Sequence, residues 1–251
     1  MSRIFTSFSL EAGAELLKAF RAPEFILPTI GMPVAFYALF AIVLPNPGAG
    51  GVNQAAYMLA TYGIFAVMGP AIFGFGISVA NERDKGWLSL KRAAPSRGMN
   101  YIAAKVCSTM IFASISLAVV YLVAGFAAGV TLPTKTWALL LMVHIAAIFP
   151  FILFGLTIGF LCNANAAVAI SNIFFLAFAA LGGLWIPVMV FPAGLQSFAQ
   201  FLPSYHLSEI ALIASGAPGE RELSYHLMLI SIITTLFLTM TIFAWNKQRN
   251  A

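Results

Sequence analysis

Charged residues are scarce in this sequence: Asp, Glu, Lys and Arg make up 8% of its 251 residues, whereas 61% of the residues are hydrophobic. Soluble domains usually contain roughly a quarter charged residues, because their surfaces face water. A soluble fold of this length could not cover its surface with so few charges. The composition therefore excludes an ordinary soluble protein and indicates that lipid solvates much of the chain.

Groups that ligate metals or perform catalysis are also few. The two cysteines, Cys107 and Cys162, have no CxxC partner and no histidine at metal-ligand spacing, which argues against a disulfide framework or a zinc site. The sequence contains no GxSxG nucleophile motif and no GxxxxGK(S/T) phosphate-binding loop. We therefore expect neither an intramembrane hydrolase nor a chain that hydrolyses ATP itself, and we expect no bound cofactor.

Long apolar runs dominate what is present. A helix that crosses a bilayer needs about 20 mainly apolar residues. Six such runs follow one another, over residues 25–44, 55–80, 106–130, 137–161, 166–190 and 226–245. The sequence thus predicts an all-α, polytopic membrane protein with six transmembrane helices, forming a single domain over residues 1–251.

The distribution of Lys and Arg predicts the orientation. Cytoplasmic loops carry an excess of these residues, and the net charge of +5 is better explained by topology than by nucleic-acid binding. We expect a protein of the cytoplasmic (inner) membrane with both termini cytoplasmic; residues 1–21 lack the apolar core of a signal peptide. On the predicted cytoplasmic side lie 11 of the 13 basic residues: Arg3, Lys18, Arg21, Arg83, Lys85, Lys91, Arg92, Arg97, Lys105, Lys247 and Arg249.

Two segments outside the six runs have a different character. Residues 1–24 include a helical pattern with Glu11, Glu15 and Lys18 opposite the apolar residues, which predicts an N-terminal helix lying at the membrane interface. Residues 191–225 are predicted to be extracytoplasmic, and Pro192 and Pro203 interrupt them. One or two half-depth helices and an ordinary loop are equally compatible with residues 191–215.

Within the apolar runs, polar groups are rare. None of the runs contains Asp, Glu, Lys or Arg, although ion-coupled transporters usually keep such a group near the membrane midplane. His144 in the fourth run is the candidate functional group, but a hydrogen bond to a neighbouring helix is the more common role of such a histidine. Two GxxxG patterns, Gly125 with Gly129 and Gly155 with Gly159, predict close helix packing.

The loop over residues 81–97 is the most charged stretch of the chain. Trp87, Leu90 and Ala94 are spaced to share one face of a short helix, which Pro95 would end. A solvated basic loop that only follows the positive-inside rule would explain the charges. It would not explain the apolar side chains, which favour a surface for docking another protein.

This loop resembles the E-R-x-x-G-x-L-x-x-L-x-x-x-P motif that follows the second span of ABC-2 type permeases, the membrane subunits of a class of ABC exporters. The spacing departs from the motif near the second Leu, and a Trp replaces the common Thr. Residues 20–24 and 202–207 are also similar to the family. The motif positions are Glu82, Arg83, Gly86, Trp87, Leu88, Leu90 and Pro95.

The resemblance implies a permease subunit of an ATP-driven exporter, with two copies of a separate ABC ATP-binding subunit that bind the ATP. A second permease copy, or a similar permease, would complete the pathway. The residues from 84 to 94 would form a cytoplasmic coupling helix seated on the ATPase. Its apolar centre would be Trp87 and Leu90, and its polar rim would hold Glu82, Arg83 and Arg92.

Aromatic residues of the second and fifth runs are candidates for the pathway wall, although lipid or core contacts are the ordinary role of such residues. They are Phe73, Phe75, Phe174, Phe175 and Trp185. An ATP-independent channel or a membrane scaffold subunit is the alternative function. The substrate, and the choice between homodimer and heterodimer, stay open at this point.

Overall fold

The computed structural model describes residues 2–43, 54–87, 98–217 and 221–250, and within these ranges all regular secondary structure is helical. These residues include five helices that are long and apolar enough to cross a membrane, and a shorter apolar helix, Leu27–Val43. The prediction of an all-α, polytopic membrane protein is confirmed. The helices are α1 (Ser2–Phe20), α2 (residues 23–43, alternating α and π turns), α3 (Gln54–Asp84), α4 (Gly98–Leu122), α5 (Thr134–Leu161), α6 (Ala164–Leu181), α7 (Ala193–Ala199), α8 (Pro203–Ser215) and α9 (Leu223–Asn250).

Helix α3 forms the centre of the bundle. It packs against α4, α5, α6 and α8, and most of its side chains are buried. Its sequence is apolar on every side, as expected for a helix surrounded by other helices. Helices α4, α6 and α9 each keep a broad exposed face of apolar side chains. Such faces suit contact with lipid, whereas α3 is surrounded by protein. Helix α9 joins the bundle through α5 and α8.

Helices α3 and α5 approach each other closely at Gly155 and Gly159. A Cβ atom at Gly155 would lie 2.7 Å from the carbonyl oxygen of Ala71, and one at Gly159 would lie 2.8 Å from that of Phe75. Small residues are therefore required for this approach. The prediction for Gly125 and Gly129 is wrong: in the described part of the chain nothing lies within 4 Å of a Cβ built at either position.

The fifth span is shorter than predicted, because α6 ends at Leu181 instead of continuing to residue 190. Gly183 has φ +80°, a left-handed conformation that glycine adopts without strain, and this residue turns the chain out of the helix. Pro187 and a 3₁₀ turn, Val188–Val190, follow. The apolar run is thus divided between a helix and a folded-back turn that carries Trp185.

The segment after this turn contains two short helices, α7 and α8, and is not an irregular loop. Helix α8 starts with Pro203, whose missing N–H costs nothing in the first turn of a helix. Residues 203–212 are buried, and α8 contacts α3, α5 and α9. The hydroxyl of Ser204 donates a hydrogen bond to the carbonyl of Phe178 at 2.7 Å. Protein therefore covers α8, whereas most residues of α7 are exposed.

Candidate functional site

The predicted coupling segment starts where α3 ends, at Asp84. Lys85 and Gly86 form a turn, in which Gly86 has φ +74° and its N–H donates to the carbonyl of Arg83 at 2.9 Å. Glycine at this position of the motif thus permits the left-handed turn that ends the helix. Trp87 follows, and its side chain is 47% exposed. Leu88, Leu90, Arg92 and Pro95 lie outside the described residues.

Glu82 lies inside the protein, in a network of paired charges. Its Oε1 atom accepts hydrogen bonds from Lys18 and, at 2.9 Å, from Lys105, and the Tyr101 hydroxyl donates to its Oε2 atom. Lys105 also contacts Glu15 at 2.7 Å. The side chains of Glu82 and Lys105 are each only 3% exposed. Buried charges require such partners, so this network connects α3 with α1 and α4.

Arg83 binds the end of α5. Its guanidinium donates to the carbonyl oxygens of Gly159 (3.2 Å), Phe160 (2.5 Å) and Cys162 (2.5 Å). The last carbonyls of a helix have no partner within the helix, and the negative end of the helix dipole favours a cation there. Arg83 therefore caps α5 from the neighbouring helix.

Asp84 binds the start of α6. Its Oδ2 atom accepts a hydrogen bond from the backbone N–H of Ala164, the first residue of α6, at 2.7 Å. The N-terminal N–H groups of a helix lack intrahelical acceptors, and the dipole favours an anion at this end. The side chain of Asn163, the residue before α6, supplies a second cap by accepting a hydrogen bond from the N–H of Ala166.

Three consecutive residues at the end of α3 thus bind four other helices. Glu82 contacts α1 and α4, Arg83 contacts α5, and Asp84 contacts α6. Glu82 and Arg83, predicted to lie at the polar rim of a docking surface, make these contacts within their own chain, and their side chains are 3% and 18% exposed. The carboxylate of Glu82 is buried against its own chain, and three carbonyls occupy the guanidinium of Arg83.

The partners of Glu82 were not predicted from the sequence. The helical pattern of residues 1–24 predicts Glu15 and Lys18 on the polar face of an interfacial helix, and Lys105 counts there only as a basic residue of the cytoplasmic side. In the structure these residues face α3 and α4, and the Ser108 hydroxyl donates to the carbonyl of Ala12 at 3.1 Å. A lysine within the apolar helix that follows Glu82 was the available signal, since an intramembrane charge needs a partner of opposite sign.

Three of the five predicted pathway residues come together. The ring centroids of Phe73 and Phe175 are 4.8 Å apart, and Phe65 lies 5.1 Å from Phe175 and 5.6 Å from Trp185. We call Trp185, Phe65, Phe175 and Phe73 the aromatic column. It runs along α3 where that helix packs against α6 and the turn after it, and we call this contact region the α3–α6 seam.

The other two candidates lie elsewhere. Phe75 is fully buried where α3 meets Gly155 of α5. Phe174 is on another face of α6 and contacts Phe154 and Phe178, with centroid distances of 5.0 and 5.7 Å. On a helix, neighbouring residues such as Phe174 and Phe175 point about 100° apart, and residues two positions apart, such as Phe73 and Phe75, point about 200° apart, so neither pair shares one surface.

His144 has a structural environment. Its Nε2 atom lies 3.0 Å from the carbonyl of Ala60, and its Nδ1 atom lies 2.8 Å from the hydroxyl of Tyr121. Because a carbonyl can only accept, Nε2 carries the proton and Nδ1 accepts from Tyr121. A Cβ at Gly63 would lie 2.2 Å from the ring, so glycine makes room for it. His144 therefore joins α3, α4 and α5 by hydrogen bonds, the more common role expected for it.

A histidine pair on α8 and α9 was not recognised from the sequence. His206 Nε2 lies 2.8 Å from the carbonyl of Gln200 and donates to it, so its Nδ1 atom accepts from Nδ1–H of His226 at 3.1 Å. Burial lowers the pKa of His206, and the hydrogen bond to Gln200 opposes this effect only in part. The pair connects the short helices to the last long helix. The two residues are 20 positions apart, so no local pattern indicates the contact.

A bundle of long apolar helices whose charges are paired at one end defines the class of multi-pass membrane proteins. The sequence profile of the family described as "ABC-2 type transporter" matches residues 6–214. The chain belongs to the ABC-2 type transporter family. It is similar to the protein named "Putative transport permease YvfS" of Bacillus subtilis (strain 168), with 29% identity over 237 residues that cover 94% of this chain and 95% of that protein. The resemblance inferred from residues 82–95 is thereby confirmed, the protein is a membrane transport permease, and the family implies association with ABC ATP-binding subunits.

Proposed function

We propose that this protein is the permease subunit of an ATP-driven exporter and that residues 81–97 couple it to two copies of a separate ATP-binding subunit. The observation that carries the proposal is the set of contacts made by Glu82, Arg83 and Asp84. These residues directly precede the predicted docking helix. A displacement of that helix would therefore act on α1, α3, α4, α5 and α6 together.

The packing of α3 supports this mechanism. Coupled motion requires elements that move as rigid bodies. Because α3 is buried among the other helices and contacts α5 closely at Gly155 and Gly159, its movement would carry the bundle with it. ATP binding would draw the two ATP-binding subunits together and tilt the attached permease halves, and the substrate would move outward. The basic end of the bundle and both termini would be cytoplasmic.

The α3–α6 seam is the proposed substrate pathway within each half. The aromatic column lines it with Phe73, Phe175 and Trp185, and a second copy or a similar permease would complete the passage. The paired charges around Glu82 lie at the other end of α3, and in this proposal they transmit the movement of the docked helix to the bundle. An ATP-independent channel or scaffold would need no ATP-binding partner at residues 81–97.

Photo-crosslinking from position 87 tests the proposal. The side chain of Trp87 is exposed, so a photoreactive amino acid at this position should capture an adjacent subunit in cells. The control position is Phe201, which is exposed between α7 and α8 at the opposite end of the bundle. We expect position 87 to capture a protein that carries a GxxxxGK(S/T) motif, and position 201 to capture none. Capture at position 87 of proteins without this motif would favour the scaffold function, and equal capture from both positions would contradict the coupling site.

A further inference from the structure

Several buried polar atoms without a hydrogen-bond partner lie in the α3–α6 seam or directly beside it, where α2 packs against α3. Among the described residues, the atoms in this condition include the Tyr62 hydroxyl, the Ser171 hydroxyl and the Trp185 indole nitrogen. Most buried polar groups in folded proteins have partners, so each exception needs an explanation. Tyr62 of α3 packs against Tyr37 and Phe40 of α2, and Trp185 lies in the turn after α6, 5.5 Å from Phe36 of α2. Ser171 of α6 lies deeper, opposite Gly76 of α3. Tyr62 and Trp185 have Phe65 as a common neighbour, and neither polar group has a hydrogen-bond partner within the described residues.

Tyr62 and Trp185 flank the same ring. Each lies nearly perpendicular to Phe65, with interplanar angles of 88° and 87° and centroid distances of 6.1 and 5.6 Å. An indole N–H can only donate a hydrogen bond, and a tyrosine hydroxyl donates readily. This end of the seam therefore offers donors to a molecule that supplies acceptor atoms.

The aromatic column continues from these donors into the bundle. Phe65 and Phe73 are both on α3, and eight residues of helix correspond to about 12 Å. Phe175 bridges them from α6, with its ring 5.1 Å from Phe65 and 4.8 Å from Phe73. Aromatic rings of this kind provide a surface for a long alkyl chain. The seam thus has a polar end and a long apolar surface, which together match the two parts of an amphiphile.

Charge narrows the class of ligand. Residues 54–81 and 164–187 contain no Asp, Glu, Lys or Arg. Burial of a charged group without a partner is strongly unfavourable, so the part that enters the seam is uncharged. Trp185 also remains partly exposed, and its neighbour Ile186 is exposed, so this end of the column reaches the protein surface.

We propose that the α3–α6 seam binds an uncharged amphiphile whose hydrogen-bond-accepting oxygens meet Tyr62 and Trp185 and whose alkyl chain lies along Phe65, Phe175 and Phe73. Opening of the seam would exchange ring contacts within the chain for contacts with the alkyl chain. The Ser171 hydroxyl, one turn before Phe175 on α6, is a further polar group deeper in the seam. The inference rests on the proposed export function and names the substrate class of that pathway.

Tryptophan fluorescence tests this site directly. The full-length chain carries Trp87→Phe, Trp137→Phe and Trp245→Phe, so that Trp185 is the sole tryptophan, and is purified in an ester-free detergent. One probe is the methyl ester of stearic acid dibrominated close to the ester group, and the matched probe is octadecane with two bromines at the corresponding carbons. Bromine quenches a nearby indole. We expect the ester to quench saturably at concentrations at least about tenfold below the alkane, because only the ester supplies acceptors.

Tyr62→Phe supplies the second comparison, because it removes only the hydroxyl and keeps the ring. Its apparent affinity for the ester should fall about fivefold, whereas its response to the alkane should not change. Tyr121→Phe is the matched control, since its hydroxyl binds His144 outside the seam. Circular dichroism confirms that each variant keeps its helices.

Equal quenching by ester and alkane, absence of quenching by both, or wild-type affinity in Tyr62→Phe would overturn the inference. Capture of the ATP-binding subunit from position 87 does not depend on Tyr62. Normal capture from position 87 together with failed probe binding would therefore overturn the ligand site and leave the coupling proposal standing. Failed capture together with normal probe binding would overturn the coupling proposal and leave the ligand site standing.

Discussion

Lys105 and Glu82 form a buried ion pair between α4 and α3, with Nζ 2.9 Å from Oε1. The pair lies at the end of α3, immediately before the segment proposed to dock the ATP-binding subunit. Lys18 of α1 also contacts Glu82 but is much more exposed than Lys105. The Glu82 carboxylate therefore has one buried partner, Lys105, and one partly solvated partner, Lys18, whose contributions to stability can be compared.

Removal of Lys105 should destabilise the protein strongly. Lys105→Met leaves Glu15 and Glu82 without their shared buried cation, and loss of one partner of a buried pair typically costs about 3–5 kcal/mol. Lys18→Met should cost about 1 kcal/mol or less, because exposed pairs contribute little. Thermal unfolding of the purified variants, followed by size-exclusion chromatography, measures both effects. A Lys105→Met variant as stable as Lys18→Met would show that the buried pair is not important for the fold.

Truncation of Trp87 should release the ATP-binding subunit. Aromatic anchors at interfaces typically contribute about 2 kcal/mol or more, which corresponds to at least about 30-fold in affinity. Lys85→Ala is the control, because Lys85 is exposed and its ammonium lies 5.5 Å from the centroid of the Trp87 ring. Co-purification of the ATP-binding subunit with each tagged variant gives the ranking, and membrane insertion is checked in parallel. A larger loss for Lys85→Ala than for Trp87→Ala would favour a solvated basic loop.

The two GxxxG patterns should respond differently to the same substitution. Gly155→Ala places a methyl group 2.7 Å from the Ala71 carbonyl, so α3 and α5 must separate, at a cost of about 1–3 kcal/mol. Gly125→Ala meets no described atom within 4 Å and should leave stability nearly unchanged. Unfolding temperatures of the two variants make the comparison. Equal destabilisation would mean that the π turn after α4, Val123–Ala127, also packs closely through Gly125, for instance in an assembly.

Acidification should weaken the attachment of α8. Because burial lowers the pKa of His206 in the folded protein, the unfolded chain binds more protons once the pH falls below about 6.5, and stability then decreases. The loss should begin near that pH and continue until the folded-state pKa is reached. His226 and Arg221 lie on the α9 side, and Arg221 stacks on Tyr225, so additional positive charge on His206 would be unfavourable.

Unfolding temperatures at about pH 7.5 and about pH 5.5 test this dependence. His206→Asn should reduce the difference between the two temperatures relative to wild type. His144, which binds α3 and α4, is present in both proteins, so it does not contribute to the difference between them. An unchanged difference in His206→Asn would assign the pH dependence to other groups.

The positions of the long helices were predictable because hydropathy alone specifies them, as the agreement for α3 and α5 shows. The end of α6 was not, since Gly183 turns the chain within an uninterrupted apolar run. The seam was anticipated from spans two and five, but only Phe73, Phe175 and Trp185 of the five candidates share it. Helix periodicity places Phe73 and Phe75 on different faces of α3. It does not reveal which of the two faces meets α6.

The environment of Glu82 required three-dimensional information. Its partners Lys105 and Lys18 are 23 and 64 positions away, and the sequence does not reveal which helices meet at that end. A motif also cannot distinguish a glycine that touches a neighbour from one that does not, as Gly155 and Gly125 demonstrate. In both cases the missing information was the identity of the adjacent helix.

The junction of α5 and α6 is held from both sides by neighbouring residues of α3. Arg83 fixes the last carbonyls of α5, and Asp84 fixes the first N–H of α6. These two helices therefore have little freedom to pivot at this point. A force applied at the end of α3 would therefore move α5 and α6 together as one hairpin. The glycine turn at residues 182–183, beside Trp185, would move with them.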